Sequence, residues 1–223
     1  MATMKKYAVI VAGGSGERMG AAVPKQFLLL NGRPLLWHTV KAFISCYTDI
    51  HIILVLPKDH IDTGKNAVSD LTTANPIVFV EGGVTRFQSV QNGLKPVSGE
   101  SIIFVHDAVR CLVSQALIER CYTQAVEKGS AIPAVAATDS IRIVEGDAHH
   151  VADRKLVRII QTPQTFQSSV LLPAFTVAYH ESFTDEATVV EASGKKVFLV
   201  EGDYENIKIT RPADLVIAEN ILR

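Results

Sequence analysis

The 223-residue chain predicts one α/β domain, folded as a three-layer sandwich around a mostly parallel sheet. Two features carry that expectation. Short β-branched runs recur with helix-length segments between most of them, and a glycine-rich loop directly follows the first run. The runs fall at residues 7–11, 50–56, 77–80, 102–105 and 131–135. Helices are expected at 34–45, 86–94 and 114–128; in the last, Ser114 is placed to cap the start and Gly129 to end it.

After residue 138 the pattern changes. Ser-Ile-Arg-Ile-Val, a polar Glu-Gly-Asp-Ala-His-His turn and Val-Ala-Asp-Arg read as a hairpin, an arm over about residues 138–160 projecting from the sheet. An amphipathic stretch near 170–180, a strand at 196–200 and a helix from Pro212 to 222 complete the chain. No repeat or linker divides it, so residues 1–223 are expected to form a single domain.

Composition excludes several classes. Hydrophobic residues make up 48% of the chain, enough for a sizeable core. Twenty-two basic against 23 acidic residues leave a net charge of −1, which draws the molecule to neither nucleic acid nor an acidic membrane. Any anion site must be local. The first apolar run is too short for a signal or a membrane span, so a cytoplasmic protein is expected. Cys46, Cys111 and Cys121 are odd in number and lack CxxC spacing, which argues for reduced thiols rather than disulfides or zinc.

The loop Gly13-Gly14-Ser15-Gly16-Glu17-Arg18-Met19-Gly20, followed by Pro24-Lys25-Gln26, combines a strand end, bare backbone and two cations. Glycines let successive N–H groups curl around a phosphate chain, which suits a nucleoside triphosphate. A P-loop would need Gly-Lys-Ser/Thr, and GxGxxG would need glycine where Met19 stands. No acid about 20 residues on is placed to hold a dinucleotide ribose. Glycines after a strand can also make only a tight turn, and the cations only a solvated face.

With Ala12 before it and Pro-Lys-Gln-Phe after it, this loop resembles the sugar-nucleotide and polyol-phosphate nucleotidyltransferases. Glu81-Gly-Gly83-Val-Thr-Arg86-Phe-Gln-Ser89, His106-Asp107-Ala108-Val-Arg110, Gln161-Thr-Pro-Gln164, Thr184-Asp-Glu-Ala and Asn206-Ile-Lys208 follow in order. Together they resemble the 2-C-methyl-D-erythritol 4-phosphate cytidylyltransferases of non-mevalonate isoprenoid synthesis, over nearly the whole chain. Ribitol-5-phosphate cytidylyltransferases share several of these blocks. Val151-Ala-Asp153-Arg154 in the arm resembles the isoprenoid enzymes' Val-Asp-Arg, with Ala152 inserted. Cys111 in place of a usual proline, Ser140 in place of threonine and Gly13 in place of a frequent alanine depart from the family without removing a charge.

The resemblance implies a Rossmann-like sheet of the nucleotide-diphospho-sugar transferase type. It also implies transfer of CMP from CTP to methylerythritol phosphate, with release of pyrophosphate. Arg18, Lys25 and Lys208 would be catalytic. Ala12, Gly13, Gly14, Ser15, Gly16, Gly83, Arg86, Ser89, Asp107 and Ala108 would bind the nucleotide, and Arg110, Ser140, Arg154 and Thr184 the polyol phosphate. Ser140 and Arg154 would come from the neighbouring arm of a homodimer with a shared site. Asp107 is the expected Mg²⁺ ligand, although an Asp after a strand also caps turns. His106 reads as structural because Mg²⁺ prefers oxygen, and His149 and His150 read as exposed. The competing expectations are a ribitol phosphate enzyme and a non-catalytic nucleotide- or nicotinamide-binding module.

Overall fold

A computed structural model describes residues 4–13 and 23–222. In chain order it contains β1 (Lys5–Val11), β2 (Leu29–Leu30), β3 (Arg33–Pro34), α1 (Leu35–Cys46), β4 (His51–Leu56), α2 (Ile61–Ala67), β5 (Val78–Glu81), α3 (Arg86–Leu94), β6 (Ser101–Asp107), α4 (Gln115–Lys128), β7 (Ser130–Ala136), β8 (Ile141–Glu145), β9 (Ala148–Ala152), β10 (Arg158–Ile160), β11 (Gln164–Gln167), α5 (Ser168–Ala174), α6 (Glu186–Ala192), β12 (Leu199–Glu201) and α7 (Pro212–Ile221).

The central sheet runs β10-β7-β11-β6-β1-β4-β5, with β12 also paired to β7. Pairs β6/β1, β1/β4 and β4/β5 are parallel, as the recurring strand and helix pattern predicts. The sheet turns antiparallel where β11 enters between β6 and β7 and where β10 pairs with β7. The alternation of side chains along each strand builds two cores, one on each face. Ala8, Ile10, Leu54 and Phe104 pack beneath Val40, Phe43, Leu117 and Ile118. Tyr7, Val9, Val55 and Val105 pack against Phe87, Val90, Leu171 and Val190. A third cluster joins Leu30 and Leu35 to Val109, Ile209 and Ala218 of the C-terminal segment.

Local chemistry explains the helix ends. Thr85 and Gln88 form a reciprocal capping box that starts α3 at Arg86. The Ser114 side chain accepts from the Leu117 N–H, and Gly129 ends α4 at a φ of 87°, a left-handed value that glycine tolerates. Beyond α4, β8 and β9 form a separate two-stranded sheet, the expected arm. Several features depart from the sequence expectation, strands β10 and β11 among them. The helix near 170 ends at Ala174, one residue after Pro173. The last strand is shifted to Leu199–Glu201. Helices α2 and α6 add to the expected set. So does the β2–β3 ribbon, which turns through Asn31 and Gly32, both at positive φ.

A Cβ added at Gly93 in α3 would lie 2.6 Å from both Val55 Cγ2 and Val9 Cγ1, so the glycine lets the helix sit directly on the sheet. Gly93→Ala should cost about 1–3 kcal/mol, seen as a lower urea midpoint with an unchanged m-value.

Burial pushes the Cys111 and Cys121 thiols up to about 12, and burial together with Glu119 pushes Cys46 up to about 11. The unfolded thiols ionise near 9.0, so their contribution to stability is complete below that pH and is lost as pH rises through 9 towards 12. At about pH 8, a thiol-specific disulfide reagent should leave Cys111 and Cys121 unmodified in the native protein and label them rapidly after denaturation.

Candidate active site

The carboxyl ends of β1, β4, β5 and β6 meet at one edge, held together by backbone bonds that continue the ladders. Ala12 N–H donates to Val55 O, Gly82 N–H to Leu56 O and Ala108 N–H to Val11 O, at 2.8, 2.8 and 3.0 Å. A cleft opens above this edge, lined by Ala12, Gly13, Lys25, Gly83, Arg86, Ser89, Asp107 and Lys208, among others. Most of the expected nucleotide and catalytic residues therefore converge. Gly14, Ser15, Gly16 and Arg18 lie outside the described residues.

Buried polar contacts shape this cleft. Gln26, 1% exposed, donates through Nε2 to Ala12 O at 2.8 Å and ties the turn carrying Lys25 to the end of β1. Thr39 Oγ1 donates to Ala108 O at 2.8 Å. Ser89 Oγ accepts from Gly83 N–H at 3.0 Å and donates to Thr85 O at 2.9 Å, closing the loop onto α3. A Cβ at Gly83 would meet Gln88 Cβ at 2.3 Å, so that tight turn requires glycine. Gln26, Thr85 and Gln88 were not singled out in the sequence as site residues, although Gln26 and the capping pair lie inside its motifs.

Asp107 is the electrostatic centre of the site. Lys208 Nζ lies 2.7 Å from Oδ2, Arg86 Nη2 lies 3.3 Å from Oδ1, and Arg110 Nε lies 3.9 Å from Oδ2. Burial raises the proton affinity of the carboxyl, but Arg86, Lys208 and Arg110 overcome this and hold it well below the usual carboxylate range. Arg86 also reaches Glu186, with its Nη2 at 3.1 Å from Oε2. Burial opposes the guanidinium charge, and Glu186 and Asp107 more than restore it. Arg86 is an expected nucleotide-binding residue, but nothing in the sequence pairs it with Glu186, which stands there only within the Thr184-Asp-Glu-Ala motif.

A second cleft adjoins the first. Arg86, Asp107 and Lys208 line both, while Arg110, Thr162, Gln164, Thr184 and Asp185 belong to the second. Here Arg110 is largely engaged with backbone: its Nη1 donates to Asn206 O at 2.7 Å and its Nη2 to Ile160 O at 3.5 Å. Asn206 Nδ2 donates in turn to Thr162 O at 2.8 Å. The Thr162 hydroxyl accepts from Asp107 N–H at 3.1 Å and pairs with His106 Nδ1 at 3.0 Å. His106 is fully buried, with Nε2 at 3.1 Å from Arg110 O, and burial lowers its pKa to about 4. It braces the loop from within.

Ser140 and Arg154 line neither cleft. Both are exposed, and Arg154 Nη1 donates to Thr138 O at 2.7 Å at the base of the arm. Among the described residues, no group of three or more His, Cys, Asp and Glu side chains is placed to hold a metal. Asp107 offers one carboxylate, with both oxygens facing cations. A hard ion held there would have to be carried chiefly by phosphate and water oxygens, with one protein oxygen added, rather than by an all-protein cage.

Comparison with known proteins agrees with the geometry. The model of the 2-C-methyl-D-erythritol 4-phosphate cytidylyltransferase family, IspD, matches residues 6–223. The enzyme of that name from Phocaeicola vulgatus is 42% identical over 219 residues, covering 98% of this chain and all of the relative. The one from Porphyromonas gingivalis is 44% identical, covering 98% of both. Among solved structures, the 4-diphosphocytidyl-2C-methyl-D-erythritol synthase of Anaerococcus prevotii superposes with a TM-score of 0.84 at 29% identity over 98% of each chain. The order of the motifs, the α/β sheet and the full-length match converge: this chain belongs to the 2-C-methyl-D-erythritol 4-phosphate cytidylyltransferase family.

Proposed function

We propose that this protein transfers CMP from CTP to 2-C-methyl-D-erythritol 4-phosphate, forming 4-diphosphocytidyl-2-C-methyl-D-erythritol and pyrophosphate for isoprenoid precursor synthesis. The carrying observation is the junction of two clefts at Arg86, Asp107 and Lys208. A triphosphate over the strand ends and a polyol phosphate in the second cleft would meet there. An acceptor phosphate oxygen forms a bond to the α-phosphorus, the α–β phosphoanhydride bond breaks, and its electrons leave with pyrophosphate. The attacking oxygen is already ionised, so no general base is needed; catalysis rests on alignment and on stabilising negative charge.

Lys208 suits the transfer because its partner is Asp107, a carboxylate that phosphate oxygens can replace at a half-exposed ammonium. Lys25 at the cleft wall and Arg18 in the glycine loop add positive charge for the triphosphate. Gly13, Gly83 and Ser89 bound the pocket for the nucleoside, and the 82–89 loop is the proposed source of the cytosine preference. Asp107 would hold a Mg²⁺ arriving with CTP, which supplies neutralisation of the phosphate charge. Arg110 and Thr184 would receive the acceptor.

The arm is proposed to join two copies in a homodimer in which Ser140 and Arg154 complete the partner's acceptor cleft. Support comes from Val144, Val151 and Leu156, apolar residues that are 69%, 65% and 83% exposed along the arm in the single chain. Among the described residues no helix is long and apolar enough to cross a membrane. We place the enzyme in the cytoplasm.

The assignment is tested by Mg²⁺-dependent pyrophosphate release from CTP with methylerythritol phosphate, ribitol 5-phosphate and glucose 1-phosphate in parallel, and with UTP in place of CTP. Release with CTP and methylerythritol phosphate is expected. A ribitol phosphate preference would keep the chemistry and replace the acceptor, and silence with every acceptor would sink the enzymatic reading. Lys208→Ala should lower kcat by about a hundredfold or more.

The shared site has its own check. Arg18→Ala and Arg154→Ala proteins, unfolded together and refolded, should recover about a quarter of the parent's turnover, the statistical yield of mixed dimers with one intact site. No recovery from correctly dimeric mixtures would place both residues in the same subunit's site.

A further inference from the structure

Glu186 has no assigned part in the transfer, yet it is fully buried at the first position of α6 and grips Arg86, the first residue of α3, through both carboxylate oxygens. Its neighbours Ala187, Val189 and Val190 pack into the same apolar layer as Phe87 and Val90. A carboxylate there is an expensive choice for stability alone, because an apolar residue of similar size often serves a buried position as well or better. What the pair adds is direction. With Nη1 and Nη2 both held by Glu186, Arg86 shares Nη2 with Asp107, whose other oxygen faces Lys208.

The α6 end of this chain is itself anchored. Gln164 donates through Nε2 to Asp185 Oδ2 at 2.9 Å and accepts from Ala187 N–H at 2.8 Å, so the residues flanking Glu186 are tied to β11. Thr184, two residues earlier, lines the second cleft. Glu186 thus joins the wall of the acceptor cleft to the cation that both clefts share.

Resting on the transfer reaction proposed above, we propose that Glu186 is a positioning residue: it fixes Arg86 against Asp107 at the junction of the two clefts, so that Lys208 rather than Arg86 is the cation free to exchange Asp107 for phosphate. Released from Glu186, Arg86 could turn its whole fork onto Asp107 and compete with Lys208 there.

The test is a double-mutant cycle of Glu186→Gln and Arg86→Lys, read on kcat and separately on CTP affinity by calorimetry without acceptor. Each single variant should lower kcat by at least about tenfold, and the double variant should be little worse than Arg86→Lys alone. Losses that multiply independently, or parent-like kinetics in Glu186→Gln, would overturn the proposal. If Glu186→Gln does not fold, Glu186→Met takes its place in the cycle. A parent that binds CTP but transfers to no acceptor would defeat the proposed reaction alone, and the affinity cycle would then decide the role of Glu186 by the same criterion.

Discussion

The structure turns on one carboxylate. Asp107 ends a strand that is buried along its whole length, and a charge there is tolerable only with opposite charges close by. Arg86 arrives from the start of α3, Arg110 from the loop after β6, and Lys208 from the segment before α7. Each must be delivered by a different part of the chain, so the capping box at Thr85, the His106–Thr162 brace and the packing of Ile209 beside Val109 all serve the same charge. A cluster with this many cations around one acid is poised for an anionic ligand, because phosphate can take over the role the carboxylate plays in the free protein.

The two clefts differ in how they are built. The proposed nucleotide side rests on backbone at the ends of parallel strands, where such folds commonly bind ligands. Its features are short-range: glycine at 83, the Ser89 hydroxyl folded back onto its own loop, and Gln26 reaching to Ala12. The proposed acceptor side forms where β10 and β11 reverse the sheet direction and bring residues 160–164 beneath Asp107. It draws on segments far apart in sequence, including α6 and the approach to α7.

That difference explains what could be read from sequence. Helix α3 was legible to its last residue, and α4 with both caps, because periodicity and capping are local. The Asn31-Gly32 ribbon carries an equally local hairpin signal, two residues at positive φ. Strand β11 was harder: Gln-Thr-Phe-Gln has one large apolar residue, yet it lies inside the sheet between β6 and β7. Glu186 was illegible in a deeper sense. A glutamate in a first helical turn ordinarily faces water, and its complete burial here goes with a charged partner, Arg86, 100 positions away. Motifs brought Arg86, Asp107 and Lys208 to notice, but not their pairing, which depends on the fold.

The arm lies apart from both clefts in the single chain. Arg154 spends a charged donor on the Thr138 carbonyl at the arm's base, and Ser140 lies exposed before β8, so neither reaches the cleft whose walls carry Thr184 and Arg110. Within that cleft Arg110 has committed two of its nitrogens to backbone carbonyls, and Lys208 is paired to Asp107. An acceptor bearing a doubly charged phosphate would therefore meet few uncommitted donors from the described part of this chain's second cleft. Additional cationic contacts supplied across an interface would answer that shortage, and the apolar residues exposed on the same arm give an interface a reason to form. If the proposed dimer forms, the arm's chemistry and its exposed surface have a common cause: the acceptor half of the proposed site would be divided between two copies, while the nucleotide half would be assembled within one.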